Sequence, residues 1–178
     1  MELKGGLVQV YTGCGKGKTT AALGQALRSV GCGLKVYMVQ FLKTDHTGEL
    51  ESAKRLYPEF QIFRFEKEKG FFWTLDAEEK IQLKQEVNEA LEFCKKVSKS
   101  QECDILIMDE IMAALTNKLI EVDELIELIK DKSPNIELIL TGRDAPSGII
   151  EIADLVTEMG EVKHYFNKDI PARYGIEY

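Results

Sequence analysis

Residues 7–30 read LVQVY-TGCGKGKTT-AALGQALRSV. An apolar, β-branched run is followed by a glycine-rich turn and then by a helical pattern. Glycine lets backbone N–H groups approach phosphate oxygens without a Cβ in the way, and the start of a helix adds partial positive charge. In this context GKGKTT reads as a phosphate loop, with Lys18 reaching the phosphates and Thr19 offering its hydroxyl to Mg2+. A strict loop is G-x-x-x-x-G-K-[ST], yet counting back from Gly17 puts Thr12 where the first glycine belongs, and Lys16 adds a second cation. The plain alternative is a glycine-rich strand–helix turn with no ligand.

The chain around the loop supports the stronger reading. Apolar strands are expected over 35–43, 60–65, 104–110 and 135–143, and helices over 18–31, 76–100 and 121–132. Residues 146–153 then lead into 154–166 with no assigned element. Alternating strands and helices imply an α/β protein with a mainly parallel central sheet and helices on both faces. Residues 44–74 are the least regular, and irregular insertions on such scaffolds often carry function. The strand ILIMDE ends in Asp109 and Glu110, and an acid at a strand end can hold Mg2+ directly or through water. Successive residues point to opposite sides, so one of the two is expected to face the metal. A helix-capping role before IMAAL is the alternative. Loop and acid-tipped strand together define a P-loop nucleotide-binding protein without fixing its reaction.

Length and composition bound what else the chain can be. Its 178 residues are read as one domain, 1–178, with 44% apolar and 30% charged residues. A net charge of −7 argues against nucleic acid or an anionic membrane as a broad partner. Cys14, Cys32, Cys94 and Cys103 lack C-x-x-C spacing, and there are only two histidines, so neither a zinc site nor a disulfide framework is indicated. With no signal-peptide pattern and no membrane-length apolar run, the chain reads as cytoplasmic and reduced.

The loop TGCGKGKTT, VQFLK with a following TGE, IMDE, TGR at 141–143, and VTEM, VKH and GIEY near the end together resemble one family over nearly the whole chain. This is the P-loop ATP:corrinoid adenosyltransferases (cob(I)alamin adenosyltransferases). The resemblance implies a RecA-like P-loop NTPase fold and transfer of the 5′-deoxyadenosyl group of ATP to the Co(I) of a corrinoid, with triphosphate leaving. ATP would lie reversed relative to other P-loop proteins, a placement that an altered first position and Lys16 would suit. By match, Gly13, Cys14, Gly15, Lys16, Gly17, Lys18, Thr19, Thr20, Arg28 and Arg143 are expected to contact nucleotide. Lys18, Thr19 and Glu110 would be catalytic, with Thr19, Glu110 and Asp109 at the metal. For Arg28 the alternative is a solvated helix cation.

In GFFWTL, Phe71 and Trp73 match an aromatic pair expected to exclude the corrinoid's lower axial ligand; read from the residues alone they would be core aromatics. His164 also matches a family position and is read as structural. The resemblance further implies a homodimer and an electron donor such as a reduced flavin or flavoprotein. Cys14 departs from the Asn or Asp common in the family, and the short stretch before the first strand leaves no room for the N-terminal arm some relatives fold over the site. A small-molecule or nucleoside kinase and a RecA-like ATPase remain as alternatives.

Overall fold

The computed structural model describes residues 3, 5–43, 46–67, 70 and 72–178. Six strands form one sheet: β1 (Val8–Thr12), β2 (Val36–Gln40), β3 (Phe60–Phe63), β4 (Ile105–Asp109), β5 (Glu137–Thr141) and β6 (Leu155–Glu158). Their spatial order is β3-β2-β4-β5-β1-β6, and every pairing is parallel. The helices are α1 (Lys18–Gly31), α2 (Gly48–Arg55), α3 (Ala77–Ser100), α4 (Ile111–Thr116), α5 (Val122–Asp131) and α6 (Ser147–Ile152).

Side chains alternate across the pleat, so the central strands serve two cores. Val10, Val39, Leu106, Met108 and Leu140 pack with α3 to α6 on one face. Tyr11, Met38, Ile105, Ile107 and Ile139 pack with Ala22 and Ala26 of α1 and Ala53 of α2 on the other. Central strands buried on both sides need apolar residues at nearly every position, which explains ILIM and LIL without polar alternation. The long helix α3 starts where expected because Asp76 and Glu79 form a reciprocal capping box.

The expected strands and helices are present, most of the strands a few residues shorter than their apolar runs. The irregular segment contains a helix, α2, carrying Glu49 and Glu51 in its first turn and Lys54 and Arg55 in its last, as the helix dipole favours. The stretch left without an element holds α6 and the edge strand β6, all four residues of which are exposed. Thr12, Gln40, Asp109 and Thr141 all sit at the carboxyl ends of their strands, the end of a parallel sheet where ligands bind.

Candidate active site

The loop begins one residue later than a strict motif because Thr12 still belongs to β1. It is register-paired with Glu158 of β6, and its hydroxyl accepts from the Ala145 N–H at 3.3 Å. The chain leaving β6 runs directly beneath the turn: Met159 N donates to Thr12 O at 2.8 Å and Gly15 N to Met159 O at 2.7 Å. A Cβ on Gly15 would lie 2.7 Å from the Gly160 and Met159 carbonyl oxygens, so no larger residue fits this approach. Gly17, at φ 122, turns the chain into α1 and leaves the helix start without a side-chain cap.

Lys18 folds back into this turn. Its Nζ donates to Gly13 O at 2.7 Å and Gly15 O at 2.8 Å, and burial pushes its pKa down. Thr19 donates from Oγ1 to Asp109 Oδ1 at 2.9 Å, and Thr141 donates to the same oxygen at 2.7 Å. The other oxygen, Asp109 Oδ2, accepts from Gln40 Nε2 at 3.3 Å and lies 3.5 Å from Lys43 Nζ. Asp109 is thus wholly buried at the centre of four donors. Glu110 takes a left-handed backbone conformation, φ 60, held by its N–H donating to Thr141 Oγ1 at 2.9 Å. That conformation turns its carboxylate into the cleft, where burial and the neighbouring Asp109 raise its pKa against the pull of Lys18, Lys43 and Arg143.

A second polar group, which sequence reasoning did not single out, adjoins the acids. Gln40 and Asp109 are register partners on neighbouring strands, so their side chains meet. Arg64 Nε donates to Gln40 Oε1 at 2.7 Å, which orients the carboxamide so that its NH2 faces Glu49 (3.0 Å) and Asp109. Arg64 also donates to Thr47 Oγ1, and Lys43 pairs with Glu49 Oε1 at 3.0 Å. Burial pushes Glu49 up, but Gln40, Lys43, its own backbone N–H and Thr47 together bring it down to about 2. Gln40 is wholly buried, and its only trace in the sequence is a polar residue within an apolar run, which does not by itself mark a site.

The C-terminal segment forms a further wall. Lys16 Nζ donates to Glu177 Oε1 at 2.8 Å, Ile176 O at 3.1 Å and Tyr165 OH at 3.2 Å. His164 caps the short 3-10 turn Tyr165–Lys168, its Nδ1 accepting from Phe166 N at 3.1 Å, and it also lines the cleft.

These elements enclose one cleft of about 1090 Å3. Residues 14–20, Lys43, Glu49, Glu110 and Arg143 line its polar part; Leu23, Leu27, Leu56 and Phe60, from α1, α2 and the start of β3, line an apolar part. Cys14 is an exposed thiol at the mouth, and all four cysteines are free. Two expected residues are not brought here. Arg28 is exposed in the last turn of α1, ten residues beyond Lys18 and so about 15 Å along the helix, and does not line the cleft. Trp73 lies on the 3-10 turn Phe72–Thr74 outside the cleft lining; at 76% exposed it is not a core aromatic, whereas Phe72 packs on the core. Phe71 lies outside the described residues.

A parallel sheet with a phosphate loop after β1 and an acid-tipped β4 defines a P-loop NTPase of the RecA-like kind. A solved structure, the KaiC-like protein PH0186 from Pyrococcus horikoshii OT3, shares this fold with a TM-score of 0.53 at 16% identity, over 89% of this chain and 74% of that one. Residues 4–178 match the family model of the ATP:corrinoid adenosyltransferases BtuR/CobO/CobP. A corrinoid adenosyltransferase of Sinorhizobium sp is 35% identical over 97% of this chain and 80% of its own length. One from Escherichia coli K12 is 33% identical over 97% and 86%, and CobA of Salmonella typhimurium 32% over the same shares. The chain belongs to the ATP:corrinoid adenosyltransferase family.

Proposed function

We propose that this cleft carries out the family's reaction, transfer of the 5′-deoxyadenosyl group of ATP to the Co(I) of a corrinoid, with the following division of labour. The observation that carries the assignment is the convergence of Lys18, Thr19 and Glu110 at one end of a single cleft, with buried Asp109 behind Thr19 and an apolar part formed by Leu23, Leu27, Leu56 and Phe60. In the reaction Co(I) donates an electron pair to the 5′ carbon, the carbon–oxygen bond breaks, and triphosphate leaves with that bond's electrons. The barrier therefore falls with charge stabilisation on the leaving group and in-line placement of the carbon.

Lys18 is the main point charge for the triphosphate. In this structure its ammonium rests on two loop carbonyls, which phosphate oxygens replace as stronger acceptors. The open amides at the start of α1 and the guanidinium of Arg143 add donors aimed into the cleft. Thr19 and Asp109 would hold Mg2+, with Glu110 facing it from the cleft. A hydroxyl and carboxylates suit that hard cation, a reading supported by the Lys43 ammonium resting against Glu49 and the other oxygen of Asp109. When bound, the ion neutralises charge developing on the phosphate oxygens.

Trp73 and Phe71 are proposed to present apolar surface to the corrinoid's lower face, a role supported by Trp73 standing at the surface rather than in the core. The electrons for Co(I) would come from a reduced flavin or flavoprotein. We further propose a homodimer in the cytoplasm, the whole chain acting as one domain. Exposed Leu155 and Val156 on edge strand β6, with Val162 beyond them, support an interface there; no helix among the described residues is long and apolar enough to cross a membrane. The deciding experiment incubates the protein with ATP, Mg2+ and chemically reduced cob(I)alamin. Triphosphate together with the spectrum of a cobalt–carbon bond is the expected result. ADP or free phosphate without that spectrum would point instead to a kinase or ATPase.

A further inference from the structure

Lys16 sits in the phosphate loop, yet its contacts in this structure run to the far end of the chain. An ammonium has three N–H donors, and Lys16 spends them on Glu177 Oε1, the Ile176 carbonyl and the Tyr165 hydroxyl, at 2.8, 3.1 and 3.2 Å. A phosphate oxygen can therefore reach this ammonium only by displacing a partner from the C-terminal segment. Glu177 has replacements ready. Arg173 donates to it from its backbone N–H at 2.8 Å and from its guanidinium at 3.2 and 3.3 Å, and the Tyr165 hydroxyl donates to it as well. The carboxylate thus stays satisfied when Lys16 departs, which makes the exchange inexpensive on that side.

We propose that Glu177 is a positioning residue that competes with the triphosphate for Lys16: the anion takes Lys16 from Glu177 on binding, and Glu177 takes it back as triphosphate leaves. The inference rests on the reading that the loop holds the triphosphate. Hydrogen bonds from Arg173, then Lys16 and Tyr165, hold the Glu177 carboxyl well below the ordinary carboxylate range, so the competitor is an anion at any working pH. The same exchange links occupancy of the loop to the wall of the cleft, because Gly175, Ile176, Glu177 and Tyr178 line it and are released together. Exposed ion pairs are weak, which suits a contact that must open at every turnover.

The test is titration calorimetry of inorganic triphosphate with Mg2+ into wild type, Lys16→Ala and Glu177→Gln, with hydrogen exchange of residues 161–178 measured on wild type with and without that ligand. Glu177→Gln is expected to bind triphosphate about two- to fivefold more tightly, the reach of an exposed ion pair. Lys16→Ala should bind it about tenfold more weakly, having lost a charge-assisted contact. Wild-type residues 161–178 should exchange faster with ligand than without. In steady state Glu177→Gln should lower KM for ATP and strengthen product inhibition without raising kcat, a split that loss of a mere structural contact would not give. If wild type does not bind triphosphate at all, the reading of the loop fails; if it binds and Lys16→Ala binds as tightly, Lys16 is not a triphosphate contact and the competition fails. If Lys16→Ala weakens binding while Glu177→Gln leaves it unchanged or weakens it too, the competition fails and Glu177 instead holds Lys16 in place. Should Glu177→Gln not fold, unchanged exchange in wild type overturns the proposal and faster exchange supports it.

Discussion

Asp109→Asn and Glu110→Gln remove the same charge from adjacent residues, and the structure assigns them different costs. Asp109 is wholly buried and accepts from Thr19, Thr141 and Gln40, with the Lys43 ammonium beside it. An asparagine must place an NH2 on one side. Facing Gln40 and Lys43, that NH2 would meet groups that cannot accept, so it must face the two threonine hydroxyls, which can turn to accept it. Thr19 and Thr141 each then exchange a charge-assisted hydrogen bond for a neutral one, at about 1 kcal/mol apiece, and Lys43 loses part of its counter-charge for about 1 more. The sum, about 3 kcal/mol, corresponds to a fall in Tm of roughly 6–12 °C for a chain of this size. Glu110 differs: among the described residues its carboxylate accepts no hydrogen bond, and Asp109 already repels it. Glu110→Gln should leave stability within about 0.5 kcal/mol of wild type while cutting cobalt–carbon bond formation by about 100-fold. Calorimetric melting and the corrinoid spectrum across a Mg2+ titration measure both effects. A Glu110→Gln protein that melts as low as Asp109→Asn, or that keeps full activity, refutes the division between a buried anchor and a carboxylate facing the chemistry.

Lys18→Ala and Thr19→Ala should each reduce transfer by more than about tenfold, a barrier rise above ~1.4 kcal/mol, with folding intact; retention of more than a tenth of the rate by Lys18→Ala would remove the lysine from the site. Glu49, at about 2 against an ordinary 4.5, contributes stability that is complete above pH 4.5 and disappears as pH falls toward 2. The full shift is worth roughly 3.4 kcal/mol, which solvent screening reduces to about 1–2, so acid melting of Glu49→Gln should be flatter than wild type over that window and equally steep if the network is not formed in solution. Trp73→Ala should change stability by under about 0.5 kcal/mol, given its exposure, where a core aromatic would cost about 3–5. Its turnover from Co(II) with a mild reductant should fall well below its turnover from cob(I)alamin already reduced, and equal losses in the two assays would end the corrinoid role.

What could be read in advance followed short-range rules. Strand, loop and helix around GKGKTT, and the acids ending ILIMDE, are local patterns whose meaning is set by neighbours a few residues away. The helix α2 was not read, although acids in its first turn and bases in its last are a local signal, because glycine at its start and few apolar residues hid it. Gln40, Lys43 and Arg64 were not legible, because their role arises from β2 lying beside β4, and strand order is a tertiary fact. The contact of Lys16 with Glu177 spans 161 residues, and no periodicity in the chain reports a pairing at that separation. For Arg28 and Trp73, residue type and family match did not report position: that they stand on an exposed helix end and an exposed turn outside the cleft lining is set by the packing of α1 and of the chain before α3.

The two departures in the loop, Thr12 and Lys16, have one structural origin. Threonine favours extended backbone where glycine would weaken it, and Thr12 accordingly carries β1 one residue further than a glycine at the turn would. That residue pairs with Glu158, and its carbonyl accepts from Met159, so the chain leaving β6 is drawn beneath the loop. Gly13 and Gly15 must then be bare, since a Cβ on either would strike Met159 or Gly160. From Gly160 the chain emerges on the open side of the loop, where residues 161–178 can lie against its mouth. A lysine at position 16, projecting from that mouth, meets the carboxylate, carbonyl and hydroxyl that the segment brings. Thr12 thus ties the chain leaving β6 to the phosphate loop, and Lys16 is the group on which residues 161–178 meet that loop.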